Sequence, residues 1–271
     1  MISLKSAVPY AARIELRRAA RTLKDLFSSR PASVKAVSDK SYAYVVANHK
    51  SKLIRDVPLA LQTYQENKVT NLELACAEMN GLVIAPGETF SFCHLIGRTS
   101  PSRGYKDGLE MHRGELIGAP GGGLCQLANL IFWMALHADV QILERHRHEL
   151  DLFPDDERTV PFGMGATVFY NYRDLRFRNS LQQPLLVRLS VERPVLKGAL
   201  LSTEPLPFRV SVSETEHRFV RAPDGAIWRE NRVRRRVDYG DGQVRDEELA
   251  HNLGKVCYSV SPDQIESAVD P

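Results

Sequence analysis

The chain is predicted to adopt an α+β fold, in which N-terminal helices precede a central helix packed on an antiparallel sheet and a β-meander follows. The central helix is indicated by an apolar run of helical period from Gln126 to about Ala138. Strand-like segments follow it closely, which predicts a sheet packed against the helix. Two Asp-Gly turns after residue 206 separate further strand-like segments and predict the meander.

Residues 1–64 are predicted to form an N-terminal helical region. The first 27 residues interleave leucines with arginines and predict a basic amphipathic helix, residues 28–40 form a polar connector, and residues 41–67 predict one or two further helices. We expect the first helix to pack on its own domain with its basic face in solvent. The alternative is peripheral contact with an anionic membrane surface.

Residues 65–205 are predicted to form the α+β core. Thr70 or Asn71 can cap a helix that Asn80-Gly81 ends, and the strand LVIA and alternating Phe90 and Phe92 follow. Residues 97–123 predict a long glycine-rich loop with room for a hairpin. After the central helix, strands are predicted at VQILERHRHEL, ATVFYNY, LRFRN and PLLVRLSVE.

Residues 206–271 are predicted to form a β-rich extension. Its strand IWRENRVRRRVDY places Arg232, Arg234 and Arg236 on one face. Without interleaved aromatic side chains, this face predicts a solvated surface rather than a nucleic-acid site.

Composition excludes several classes of protein. The chain has 271 residues, 43% of them hydrophobic and 25% charged, and a formal net charge of +3, which is typical of a globular protein and too mild to indicate nucleic-acid binding. Its four cysteines lack paired spacing, so we expect free thiols rather than disulfides. No apolar run would span a bilayer and no secretory signal is recognisable, so a cytoplasmic location is expected.

The segment Gly121-Gly122-Gly123-Leu124-Cys125-Gln126 directly precedes the central helix. A glycine turn permits close approach of the backbone, and amides at a helix start favour a thiolate. Cys125 is therefore the candidate nucleophile, with the backbone of Gly122 to Leu124 and Gln126 as candidate oxyanion donors. The alternative is a tight turn with a packed cysteine, which is the interpretation favoured for Cys76 and Cys93.

Several ordered motifs resemble those of the VanW family, over roughly residues 65–205. They are ETFSF at 88–92, Gly97-Arg98-Thr99, Gly104-Tyr105, GGGLCQ, Glu144-Arg145 with His148, Ala166-Thr167-Val168, and Asp174-Leu175 with Phe177 and Asn179. The family takes its name from bacterial glycopeptide-resistance gene clusters, and the resemblance implies a link to cell-wall precursors. The chain departs from longer members at Gly165, where they carry Asp, so no acidic role transfers to that position.

A cysteine nucleophile needs a base and a group that orients the base. His146 and His148 lie on one side of a predicted strand, and His148 matches the family's E-R-x-x-H pattern. Asp174 or Asn171 follows as the orienting group. A cysteine at a helix start, then histidine, then Asp or Asn resembles the order in papain-like and transglutaminase-like enzymes. A zinc site of Cys125, His146 and His148 lacks a further ligand with diagnostic spacing, so neither a metal nor another cofactor is expected.

The expected function is that of a cysteine hydrolase or acyl-transferase acting on an amide or ester of a small peptide or cell-wall precursor. Arg98 and Arg103 flank the long loop and are candidates to bind a substrate carboxylate. The alternative is a non-catalytic binding module that recognises a carboxylate or phosphate at the GGGLCQ helix start.

Overall fold

The structure is a computed structural model that describes residues 10–28, 31–36, 38–54, 57–112, 115–147, 150–151, 154 and 160–267. Its helices and strands are mixed along the chain, which confirms the predicted α+β class. The helices are α1 (Tyr10–Ser28), α2 (Gln62–Met79), α3 (Phe92–Ile96) and α4 (Cys125–Leu136). The strands are β1 (Tyr44–Lys52), β2 (Val83–Ile84), β3 (Thr89–Ser91), β4 (Asp107–His112), β5 (Glu115–Pro120), β6 (Gln141–Glu144), β7 (Leu150–Asp151), β8 (Arg176–Arg178), β9 (Leu185–Glu192), β10 (Val195–Ser202), β11 (Arg209–Arg221), β12 (Ile227–Asp238), β13 (Val244–Val256) and β14 (Ile265–Ser267).

Helix α4 is the predicted central helix, and it lies in the hydrophobic core. Eight of its twelve residues are buried, since its sequence is apolar on nearly every face. The helix packs against β1 and β10 of the antiparallel sheet β1-β10-β9-β2. Gly198 permits the close approach, because a Cβ there would lie 2.3 Å from Leu130 Cδ2. The prediction of a central helix on an antiparallel sheet is confirmed.

Two smaller sheets and the C-terminal meander complete the fold. Strands β3, β8 and β6 form one sheet, and β4 pairs with β5 in the hairpin for which the long loop had room. Strands β11, β12 and β13 pair antiparallel in chain order, which confirms the meander. Short parallel pairings add β14 and β7 at its edges.

The arginine face of β12 is solvated, as predicted. Arg234 and Arg236 are exposed, and Arg232 pairs with Glu216 and Glu248 at N–O distances of 2.7 and 3.0 Å. The opposite face of the strand is buried and includes Arg229, which pairs with Asp151 at 3.2 Å.

The prediction of helices over residues 41–67 is wrong for its first part. Residues 44–52 form the edge strand β1, which pairs with β10 alone. Its polar sequence, YVVANHKSK, obscures the period of a strand, and edge strands commonly carry such lysines. Helix α2 begins at Gln62 rather than at residue 70, and Asn71 lies inside it rather than at a cap.

Three predicted strands around the site differ from the structure. Strand β6 ends at Glu144, so His146 lies beyond it. ATVFYNY is not a strand; a bridge between Phe169 and Arg173 closes a tight hairpin instead. Cys93 lies in the short helix α3 rather than in a strand, because the Ser91 side chain accepts from the His94 N–H and starts the helix.

Helix α1 packs on its own domain, but with the opposite face to the one expected. Arg18 donates to the Tyr170 carbonyl at 3.0 Å, and Arg21 donates to Glu144 Oε1 at 3.2 Å. Leu16 and Leu23 are instead 63% and 60% exposed. The expectation of a solvated basic face is therefore wrong for Arg18 and Arg21, whereas Arg13 and Arg17 are exposed. The membrane contact stays a prediction. Among the described residues, no helix is long and apolar enough to cross a membrane.

Candidate active site around Cys125

Cys125 is the first residue of α4 and lines a cleft with a volume of about 2250 Å³. The cleft runs between β1, the glycine turn, residues 160–173 and the ends of β9 and β10. Of the sequence-predicted site, the described lining includes Cys125, Gly122, Gly123, Leu124 and Gln126. The volume exceeds the roughly 300–1,000 Å³ of small-ligand pockets, so it accommodates an extended ligand such as a peptide.

Close packing explains the three glycines of the turn. A Cβ at Gly122 would lie 2.0 Å from the Gly108 carbonyl oxygen, and one at Gly123 would lie 2.2 Å from Lys68 Cγ. Gly121 and Gly123 also have φ of 85° and 95°, which side chains rarely permit. Asn71, wholly buried on α2, donates to the Gly122 carbonyl at 3.0 Å. These contacts fix the conformation of the turn, which places Cys125 at the start of α4.

The backbone amides around the cysteine differ in their availability. The Leu124 N–H donates to Gly121 O at 3.4 Å, and the Gln126 N–H donates to Gly123 O at 3.0 Å. Among the described residues, the Cys125 N–H donates to no backbone carbonyl. The Gln126 side chain donates to Ser51 Oγ at 2.9 Å and Lys52 O at 2.8 Å, and so ties α4 to β1. Cys125 N–H is therefore the better-placed oxyanion donor of this group.

The thiol of Cys125 is neutral at rest. Its S–H contacts the Val168 carbonyl at 3.7 Å. Burial raises the pKa of the Cys125 thiol above its ordinary value, and the nearby charge of Glu110 raises it further, whereas the charge of Arg173 lowers it. The expectation that the helix start lowers this pKa is not met, because burial, which disfavours the charged thiolate, has the largest effect on it.

Asp174 lies in a buried polar network behind the hairpin that closes at Phe169 and Arg173. Its carboxylate accepts from Ser91 Oγ at 2.6 Å and from the Cys93 N–H at 2.8 Å. Burial raises the pKa of Asp174. Arg21 lies 3.8 Å from the same carboxylate. Among the described residues, these contacts connect Asp174 to α1 and α3 rather than to the cleft.

His146 and Asn171 lie on the same side of the molecule as Asp174, near Glu144 and α1. His146 Nε2 lies 3.0 Å from Glu144 Oε1, while Asn171 Nδ2 donates to Arg18 O at 2.9 Å. Burial alone would raise the pKa of Glu144, but hydrogen bonds from Arg21 and His146 hold that pKa below its usual value. Neither His146 nor Asn171 lines the described part of the cleft. His148 lies outside the described residues, so its role as base stays a prediction.

Arg98 and Arg103 also lie away from the described cleft lining. Arg103 donates to the Ile96 carbonyl at 2.5 Å and pairs with Glu78 at 3.3 Å. Arg98 pairs with Glu15 of α1 at 3.4 Å. Their described partners brace the loop and α1, and carboxylate binding by either arginine stays a prediction.

Sequence reasoning missed most of the cleft lining, which includes Glu110, Arg173, Lys68 and Thr167. Glu110 and Arg173 act on the Cys125 pKa, and Lys68 packs under the glycine turn. Thr167 is 8% exposed, and its Oγ1 has no hydrogen-bond partner among the described residues. Only two of these four residues had a local signal in the sequence. Arg173 directly precedes the predicted Asp174, and Thr167 falls within the Ala-Thr-Val motif.

No metal centre is found within the described ranges, where no group of three His, Cys, Asp or Glu side chains is arranged to hold an ion. The zinc set considered from the sequence includes His148, which those ranges omit. All four cysteines are free thiols, as expected.

Comparison with known proteins identifies similar chains. The family model described as VanW like protein matches residues 67–201. The Vancomycin B-type resistance protein VanW of Enterococcus faecalis is 34% identical over 205 residues, which cover 75% of this chain and 74% of that protein. The uncharacterized protein YoaR of Bacillus subtilis is 35% identical over 121 residues, which cover 44% of this chain and 37% of YoaR. No solved structure matches the chain.

Proposed function

The chain belongs to the VanW family, and from that membership and the cleft at Cys125 we propose that it is a cysteine-dependent hydrolase or acyl-transferase. The substrate is an amide or ester of a small peptide or cell-wall precursor. The observation that carries the proposal is the position of Cys125 at the start of α4, on the wall of a cleft large enough for a peptide. The name of the enterococcal relative supports a link to vancomycin resistance.

In the proposed reaction, the Cys125 sulfur attacks the substrate carbonyl carbon and a C–S bond forms. The thiol proton passes to His148, and then to the departing amine or alcohol as the C–N or C–O bond breaks. The Cys125 N–H binds the developing oxyanion. Water or an acceptor amine then attacks the thioester and releases the thiol. Burial raises the thiol pKa, so the proposed reaction needs a base to remove the thiol proton.

An acylation experiment tests this proposal. The full chain is incubated with 4-nitrophenyl acetate, release of 4-nitrophenol is followed, and acetylated peptides are mapped by mass spectrometry. We expect a burst of product and a transient acetyl group on Cys125, both absent in Cys125→Ala. Cys257→Ala removes an exposed thiol away from the cleft and is the matched control. Equal acetylation of the two cysteines, or none at Cys125, would refute the nucleophile.

A non-catalytic binding module is the second candidate function. The raised pKa of the Cys125 thiol favours it, as does the close packing around the glycine turn. In that case Cys125→Ala would bind ligand as tightly as the wild-type chain. Isothermal titration with acyl-D-Ala-D-Ala peptides, as the probe of a cell-wall precursor, compares the two proteins. Equal affinity without an acyl adduct in the wild-type chain favours the binding module.

A further inference from the structure

The hairpin of residues 168–173 brings a cation to the reactive sulfur. The Phe169 N–H donates to Arg173 O at 2.9 Å, and the Arg173 N–H donates back to Phe169 O at 3.0 Å. Val168, at its base, contacts Cys125 Sγ. Arg173 and Cys125 both line the cleft. The hairpin therefore places Arg173 on the wall of the cleft that contains the Cys125 sulfur.

Arg173, like Lys50, differs from most cations of the cleft, because its side chain has no protein partner among the described residues. Arg188 pairs with Asp39, Lys197 pairs with Glu192, and Arg147 donates to Asn252 Oδ1 at 2.6 Å. The exposed Arg173 side chain has no hydrogen-bonding or ion-pair partner within the described part of the chain. The described lining holds seven Lys or Arg and two Asp or Glu side chains, so the cleft attracts anions.

We propose that Arg173 anchors a carboxylate of the substrate, so that the ligand that reacts at Cys125 is an acyl compound with a free carboxylate, such as a peptide. This inference rests on the proposed reaction and names its substrate class. A single guanidinium fork matches the two oxygens of a carboxylate.

Two alkylating reagents of similar size test this anchor, because iodoacetate carries a carboxylate and iodoacetamide does not. Peptide mass spectrometry of the full chain, at physiological salt to screen distant charges, measures the iodoacetate-to-iodoacetamide rate ratio at each cysteine. Both rates depend in the same way on the pKa and the accessibility of the thiol, so their ratio is independent of these properties. The exposed Cys257 gives the internal reference. We expect a ratio at Cys125 about tenfold above that at Cys257, which Arg173→Gln abolishes.

Arg234→Gln is the matched control, because Arg234 is exposed on β12 and does not belong to the described cleft lining. Its ratio stays at the wild-type value. A Cys125 ratio that Arg173→Gln leaves unchanged overturns the inference, as does protection of Cys125 by inorganic phosphate but not by acetate. Rapid acetylation of Cys125 with an unchanged ratio would overturn the anchor alone. A raised Cys125 ratio that Arg173→Gln abolishes, without any acyl adduct on Cys125, would overturn the proposed reaction alone.

Discussion

Cys125 shows how neighbouring side chains set the behaviour of one thiol. Its position at the start of α4 was recognisable from the segment GGGLCQ, because the glycines and the following apolar period are local signals. Glu110 and Arg173, which act on its pKa, come from other segments, 15 residues before it and 48 residues after it. No local pattern joins charges that meet only in the folded chain, so the sequence identified the cysteine but not its electrostatic setting.

Substitution of Glu110 tests that setting. The charge of Glu110 raises the pKa of the Cys125 thiol, so Glu110→Gln lowers it and increases the thiolate fraction at neutral pH. We expect iodoacetamide to alkylate Cys125 roughly threefold faster in this variant. Glu66→Gln is the control, because Glu66 pairs with Arg193 and is absent from the described cleft lining. Slower alkylation in Glu110→Gln would contradict the assigned sign.

The glycine turn and the hairpin that carries Arg173 are the elements that shape the site. The sequence predicted a turn here, but it did not predict why three consecutive glycines are needed. Gly108 and Lys68 pack closely against the turn and Asn71 donates a hydrogen bond to it, and all three come from distant segments of the chain. The hairpin was predicted as a strand, since ATVFYNY alternates. Asn171, with φ of 49°, instead forms its tip and bonds to α1.

A methyl group added at Gly122 tests the packing of the turn. Gly122→Ala places Cβ against the Gly108 backbone, which has little freedom to move, so we expect a loss of stability on the order of 3 kcal/mol. Gly165→Ala is the matched control, since the three atoms nearest its Cβ would belong to the Asn129 side chain, the first at 3.0 Å. We expect it to cost below about 1 kcal/mol. Urea unfolding measures both variants, and equal costs would contradict this explanation.

Arg21 attaches helix α1 to Glu144 and Asp174. Replacing this arginine tests the attachment. Arg21→Met leaves Glu144 and Asp174 without this cation, and we expect a loss of about 1–3 kcal/mol at neutral pH. The pKa of Glu144 is held low in the folded chain, so the stabilisation exists above its unfolded pKa and disappears as pH falls through the folded value. The difference in the free energy of unfolding between Arg21→Met and the wild-type chain therefore becomes smaller at acidic pH.

Arg98→Met provides the comparison for α1, because the Arg98–Glu15 pair is exposed. Its effect on urea unfolding should stay within about 0.5 kcal/mol. A loss as large as that of Arg21→Met, or a difference in Arg21→Met that grows toward low pH, would contradict the role assigned to the Arg21–Glu144 pair.

Across the molecule, the sequence predicted the α+β class, the buried central helix and the C-terminal meander, because each depends on a periodic pattern within one segment. It did not predict β1, whose strand character comes from pairing with β10 more than 140 residues later. Nor did it predict which face of α1 is exposed, since amphipathicity shows two faces without showing what the rest of the chain offers each of them. The division at residues 64 and 205 stays a prediction.

The exposed leucines of α1 give the predicted membrane contact a direct test. Leu16 and Leu23 lie on the outer face of the helix. If this face contacts anionic lipid, the full chain floats with phosphatidylserine vesicles and the Leu16→Ser, Leu23→Ser variant does not. Leu253→Ser, at a 49% exposed leucine of the meander, is the matched control. Equal flotation of all three proteins would remove α1 as the contact.

The most direct test of the proposed function is the pH dependence of Cys125 acetylation by 4-nitrophenyl acetate in the wild-type chain, His148→Ala and His146→Ala. If His148 removes the proton as sulfur attacks, the wild-type rate rises with a midpoint near the ordinary histidine pKa of about 6.5. His148→Ala then loses this phase, and His146→Ala keeps it. A wild-type profile that His148→Ala leaves unchanged, with Cys125 no faster than Cys257 at any pH, would contradict a catalytic cysteine at this site.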